Sequence, residues 1–100
     1  MTTLHILSTS PFADQRLASC LRLLSPGDGL LLCGDAVYAL NPDCAPRQAL
    51  ELMPEQIALY ALQEDLDARG LHDWPARLQV VDYPAFVALT LDYARSNSWL

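Results

Sequence analysis

Leu30-Leu31-Leu32-Cys33 is a run of four apolar residues held between Ser25-Pro26-Gly27-Asp28-Gly29 and Gly34-Asp35. A strand with one face in water alternates apolar and polar side chains, whereas an unbroken apolar run suits a strand covered on both faces, as in parallel sheets. The Pro-Gly-Asp-Gly stretch before it stops a helix, and Gly34-Asp35 ends the strand in a turn. Working outward, Thr3-Leu4-His5-Ile6-Leu7 reads as an earlier strand, Ile57-Ala58-Leu59-Tyr60-Ala61-Leu62 as a third and Leu78-Gln79-Val80-Val81 as a fourth. Helical patterns fill the gaps. They are residues 12–24, a short turn over 36–40, residues 47–53, an acidic helix over 63–69 closed by Gly70, and a last helix over 84–95 capped by Asp82. Ser10 is expected to cap the first of these, with Pro11 in its first position. Strands alternating with helices imply an α/β fold: a small, open, mostly parallel sheet with helices on both faces, in one domain over residues 1–100.

With 52% hydrophobic and 18% charged residues, this 100-residue chain is more apolar than an average globular domain. A chain so short and so apolar is expected to finish its burial against other subunits. No apolar run approaches the length of a membrane span, and Met1-Thr2-Thr3-Leu4-His5 lacks the start of a secretory signal, so a cytoplasmic protein is expected. The net charge of −6 and six scattered arginines argue against direct nucleic-acid binding by this chain alone. Lysine is absent, which removes Schiff-base chemistry, a phosphate-loop lysine and lysine-dependent kinase or phospho-receiver sites. The three cysteines, Cys20, Cys33 and Cys44, have neither metal-like nor paired spacing and read as reduced thiols. No metal and no cofactor are expected.

Cys20 is the main candidate for chemistry. Leu17, Leu21 and Leu24 define an apolar stripe on the first helix, and Cys20 falls at its border with Arg16 one turn earlier on the same side. A thiol beside a guanidinium can hold thiolate character, which sulfur transfer needs. The alternative is a half-buried cysteine packing as a small hydrophobe. Cys33 closes an apolar strand and reads as core, and Cys44 sits in a proline-flanked loop. Gly34-Asp35 and Gly27-Asp28-Gly29 lack a glycine-rich phosphate loop and read as turn and helix stop. His5 reads as a structural histidine, and Glu64, Asp65 and Asp67 as carboxylates opposing a helix dipole. Trp99-Leu100 is expected to pack against its own domain or a partner; Tyr38 and Trp74 read as core residues or interface anchors.

The chain resembles the TusB/DsrH family of small sulfur-relay subunits. The resemblance rests on Leu4-His5 with Ser10-Pro11-Phe12, on Gly34-Asp35-Ala36-Val37-Tyr38-Ala39 and on Tyr60-Ala61-Leu62-Gln63-Glu64-Asp65-Leu66-Asp67-Ala68-Arg69-Gly70-Leu71. It continues in Val81-Asp82-Tyr83-Pro84-Ala85-Phe86-Val87 and Ser98-Trp99-Leu100. It implies a flavodoxin-like, DsrEFH-like fold and a cytoplasmic subunit of a three-protein complex, with TusC-like and TusD-like partners in a dimer of heterotrimers. Such complexes relay persulfide sulfur toward 2-thiolation of the tRNA wobble uridine, and TusB-type chains are mainly structural, non-catalytic subunits. In the DsrH branch, which serves sulfur oxidation, a first-helix cysteine is typical; Cys20 matches it, with Arg16 as its stabiliser. Cys33 and Cys44 match no family motif. A small flavodoxin-like ligand-binding domain is the remaining reading.

Overall fold

A computed structural model describes residues 2–99. Five strands, β1 (Thr3–Leu7), β2 (Gly29–Leu32), β3 (Ala58–Leu62), β4 (Leu78–Val81) and β5 (Arg95–Trp99), form one sheet in the order β4-β3-β2-β1-β5. Every neighbouring pair is parallel. The helices are α1 (Arg16–Leu23), α2 (Ala45–Glu51), α3 (Gln63–Ala68) and α4 (Tyr83–Asp92), with a 3-10 helix over Gly34–Leu40 after β2. The apolar run at Leu30–Leu32 is the central strand, hydrogen-bonded on both flanks and almost wholly buried.

The two faces of the sheet are covered unequally. On one face Leu7, Leu30, Leu32, Leu59, Ala61 and Leu78 meet Leu17 and Cys20 of α1, Val37 and Leu40 of the 3-10 helix, Leu50 of α2 and Leu66 of α3. On the other face the smaller cluster of Leu4, Leu31 and Tyr60 is covered by Phe86 and Leu89 of α4 together with Tyr93. Each fully buried leucine contributes about 1.5–3 kcal/mol, so the first face holds most of the stability.

Several helix boundaries differ from the sequence expectation: α2 spans Ala45–Glu51 and not 47–53, and the 3-10 helix takes in Gly34 and Asp35, where the sequence predicts a turn. The first helix begins at Arg16, not near residue 12, and Pro11–Ala13 form a turn. Ser10 Oγ accepts from the Phe12 amide and so closes that turn, and Asp14 Oδ1 takes the Arg16 amide instead. The last helix ends at Asp92, and β5 replaces the predicted polar tail. Tyr93 turns extended, and its phenol lies over Gly29 and within 3.2 Å of the Tyr60 hydroxyl. Asp82 caps α4 as expected, accepting from the Ala85 amide at 2.9 Å. Gly70 follows α3 with φ +65°, the left-handed conformation of a helix stop. Among the described residues no helix is long and apolar enough to cross a membrane.

Candidate functional site

Helix α1 lays Leu17 and Cys20 against the sheet, with Leu21 and Leu24 partly buried beside them. Cys20 has no exposed surface, so it lies inside the apolar face and not at its border. Burial, together with the nearby negative charge of Asp28, pushes its thiol up to about 12. At neutral pH the group is a protonated thiol and a poor nucleophile. The Arg16 guanidinium is turned toward Asp14, with which it pairs, and toward the Thr9 hydroxyl. Cys33 and Cys44 are half-buried and touch backbone carbonyls, those of Leu7 and Ala39. Burial and the Asp65 carboxylate raise the Cys33 thiol above its usual range, against an opposing pull from Arg69.

The carboxyl ends of the strands, where function gathers in open α/β sheets, carry a closed polar cluster. Gly34 has φ +51°, and an added Cβ would stand 3.1 Å from the Ser8 carbonyl oxygen, so the turn requires glycine. Its amide donates to Asp65 Oδ2 at 2.7 Å. Arg69 reaches from the end of α3 to Asp35 Oδ1 at 2.8 Å and lies 5.7 Å from the Tyr38 ring centroid. Asp65 therefore spans a turn and a guanidinium, a structural task beyond opposing the helix dipole. Glu64 Oε2 accepts the Tyr83 amide at 3.3 Å.

A second polar group lies near the amino ends of the strands. His5 and Asp28 are both buried, with His5 Nε2 3.6 Å from Asp28 Oδ2. Asp28 also accepts the Thr3 and Ser25 amides, each at 3.0 Å. Burial raises the Asp28 carboxyl, but those two amides and His5 outweigh it and hold the group below its usual value. On the far side of the ring, the Trp99 indole N–H donates to His5 Nδ1 at 3.1 Å. Because Nδ1 accepts, the neutral ring carries its proton on Nε2, toward Asp28. A cavity of about 470 Å³ opens over Thr3, His5, Asp28, Arg95 and Asn97. Both nitrogens of His5 are engaged, one with Asp28 and one with Trp99, and the Arg95 Nε–H is spent on Thr3 Oγ1 at 3.1 Å. Trp99 is packed as expected; Leu100 lies outside the described residues. Sequence alone places Asp28 in a helix stop and not in a buried polar pair. The one local hint was a carboxylate set between two glycines ahead of a buried strand.

No nucleophile, base and acid converge at any of these places, and among the described residues no three His, Cys, Asp or Glu side chains are arranged to hold a metal. The family described as "DsrH like protein" matches residues 9–96. The chain is 43% identical over 97 residues to "Protein TusB" of Erwinia tasmaniensis, covering 96% of this chain and 99% of that one. It is 40% identical over 97 residues to "Protein TusB" of Escherichia coli K12, with the same coverage. Among solved structures, the ychN protein of E. coli superposes with a TM-score of 0.81 at 20% identity, covering 99% of this chain and 100% of that one. A protein of unknown function from Methanobacterium thermoautotrophicum, MTH1491, superposes with a TM-score of 0.71 at 18% identity, covering 98% and 97%. These two structures share the fold. With the family matched over most of its length and relatives above 40% identity end to end, this chain belongs to the TusB/DsrH family.

Proposed function

We propose that this chain is a cytoplasmic subunit of a sulfur-relay complex that passes persulfide sulfur toward 2-thiolation of the tRNA wobble uridine. Its part is to build the complex with TusC-like and TusD-like subunits, in a dimer of heterotrimers, while a partner carries the sulfur. The observation that carries this reading is the 43% identity to a protein named TusB over 97 residues. The buried, protonated Cys20 supports a structural part over a carrier part, because a persulfide carrier must expose a thiolate to donor and acceptor.

Two measurements test it. Co-expression with TusC-like and TusD-like chains should give one assembly containing two copies of each subunit by light scattering. A chain that stays alone under those conditions refutes the reading. In cells lacking their own equivalent subunit, this chain should restore 2-thiouridine in tRNA, read by nucleoside mass spectrometry, and Cys20→Ala should restore it equally. Loss of restoration in Cys20→Ala, with a gain of one sulfur atom at Cys20 in the wild type, would instead favour Cys20 as carrier with Arg16 beside it.

A further inference from the structure

Among the described residues α4 is the only helix on its face of the sheet, and it buries none of its residues completely. Phe86 and Leu89, with Tyr93 just beyond the helix, turn toward the sheet. The outward residues are Tyr83, Pro84, Ala85, Val87, Ala88 and Leu91, all apolar, and Asp92 at the end. Tyr83, Val87 and Leu91 are 54%, 59% and 82% exposed. Their spacing of four sets them in one row, about 12 Å long at 1.5 Å per residue. A surface helix of a self-sufficient domain is apolar inside and polar outside. Here both sides are apolar, the pattern of a helix covered twice.

The charge around the row is of one sign. Asp82 and Glu64 stand at its amino end and Asp92 at its carboxyl end, all exposed. Among the described residues none of the ion pairs includes any of the three. The arginines described in ion pairs are occupied elsewhere: Arg16 with Asp14, Arg47 with Glu51 and Asp73, and Arg69 with Asp35 and Asp65. If a second copy of this chain packed there, parallel or antiparallel, carboxylates would face carboxylates at both ends. With a net charge of −6 on each copy, that pairing is opposed throughout. A different chain with lysine or arginine around an apolar patch meets no such penalty and gains steering from the acidic rim.

We propose that the outer row of α4, Tyr83, Val87 and Leu91, is the surface on which this chain docks a non-identical protein subunit whose apolar patch is rimmed by basic residues. The proposal rests on the hetero-oligomer reading above and adds to it the surface and the charge of the partner. The row fills the partner's apolar patch, and Glu64, Asp82 and Asp92 set orientation and association rate.

The test uses the full chain co-expressed with TusC-like and TusD-like subunits. V87D/L91D should abolish co-purification while the isolated variant keeps its far-ultraviolet circular dichroism and a cooperative melt. If that variant fails to fold, V87A/L91A serves, and its dissociation constant should rise at least tenfold. E64Q/D82N/D92N keeps the hydrogen-bonding atoms and removes three charges; its association rate should fall several-fold and lose much of its salt dependence. If the wild type forms the complex and V87D/L91D forms it equally well, the docking surface is wrong and the functional reading stands. If the wild type forms no complex, the functional reading fails first and this surface with it. A homodimer of the wild type alone, broken by V87D/L91D, would overturn the claim of a non-identical partner. Unchanged association in the charge variant would overturn the basic rim.

Discussion

The indole N–H of Trp99 donates to Nδ1 of His5 at 3.1 Å, joining residues 94 positions apart in the chain. His5 is thereby held between an N–H donor on β5 and the Asp28 carboxylate ahead of β2. Trp99→Phe keeps most of the ring packing and leaves the buried Nδ1 without its donor. A buried acceptor left unpaired costs about 1–3 kcal/mol, which urea denaturation should read as a lower midpoint with little change in slope. An unchanged midpoint would mean that the contact adds nothing to the docking of β5.

Asp28 makes stability depend on acid. Its folded value lies below the ordinary 3.8, so the charged form is favoured in the folded protein. The stabilisation is complete above the unfolded value and is lost as pH falls through the folded one. Asp28→Asn should lower stability near neutral pH by roughly 1–3 kcal/mol and flatten the acid limb of a stability–pH curve. An acid limb as steep as in the wild type would assign it to other carboxylates.

Cys20 works at the opposite end of the pH scale. Its thiol rises from 9.0 to about 12 on folding, so the folded chain keeps a proton that the unfolded chain gives up. Stability from this group is full below about 9 and declines as pH climbs toward 12. Alkylation of the native protein, read by peptide mass, should modify Cys33 and Cys44 well before Cys20. Cys20→Ser, which buries a hydroxyl in an apolar site, should cost about 1–3 kcal/mol. Rapid native alkylation of Cys20 would contradict its burial.

Gly29 and Tyr93 are coupled by contact. An added Cβ at Gly29 would stand 2.3 Å from the Tyr93 hydroxyl oxygen and 3.2 Å from Leu4 Cδ1. Gly29→Ala should therefore destabilise by about 1–3 kcal/mol through overpacking. The double variant G29A/Y93L should lose less than the two single losses combined, because the clash disappears with the phenol. Additive losses in a denaturant series would show that Tyr93 swings aside freely.

Strands β1 to β4 were legible because their apolar residues must be covered, and the unalternating Leu30–Leu32 run announced a central parallel strand. β5 was not legible: Arg95-Ser96-Asn97-Ser98 has no apolar face, since an edge strand bonded on one side needs little burial. Period alone put Cys20 at the border of the apolar stripe on α1 and could not say how closely the sheet lies beneath it. Asp28 was missed for a different reason. Its partners Thr3 and His5 are 25 and 23 positions away, and only the pairing of β1 with β2 brings them together. The residues of α4 are mostly apolar, yet only the coordinates separate those facing the sheet from those facing water.

β5 lies against β1, not against β4, which precedes it in the sequence. During synthesis β1 thus waits with a bare outer flank until β5 has been made and has left the ribosome. Ribosome-bound chains with β4 but not β5 outside the ribosome should leave the β1 backbone open to rapid deuterium uptake, and emergence of β5 should shut it. The outer flank of β1 is sealed by the strand made after all the others of the sheet, so translation itself sets the order in which this sheet is finished.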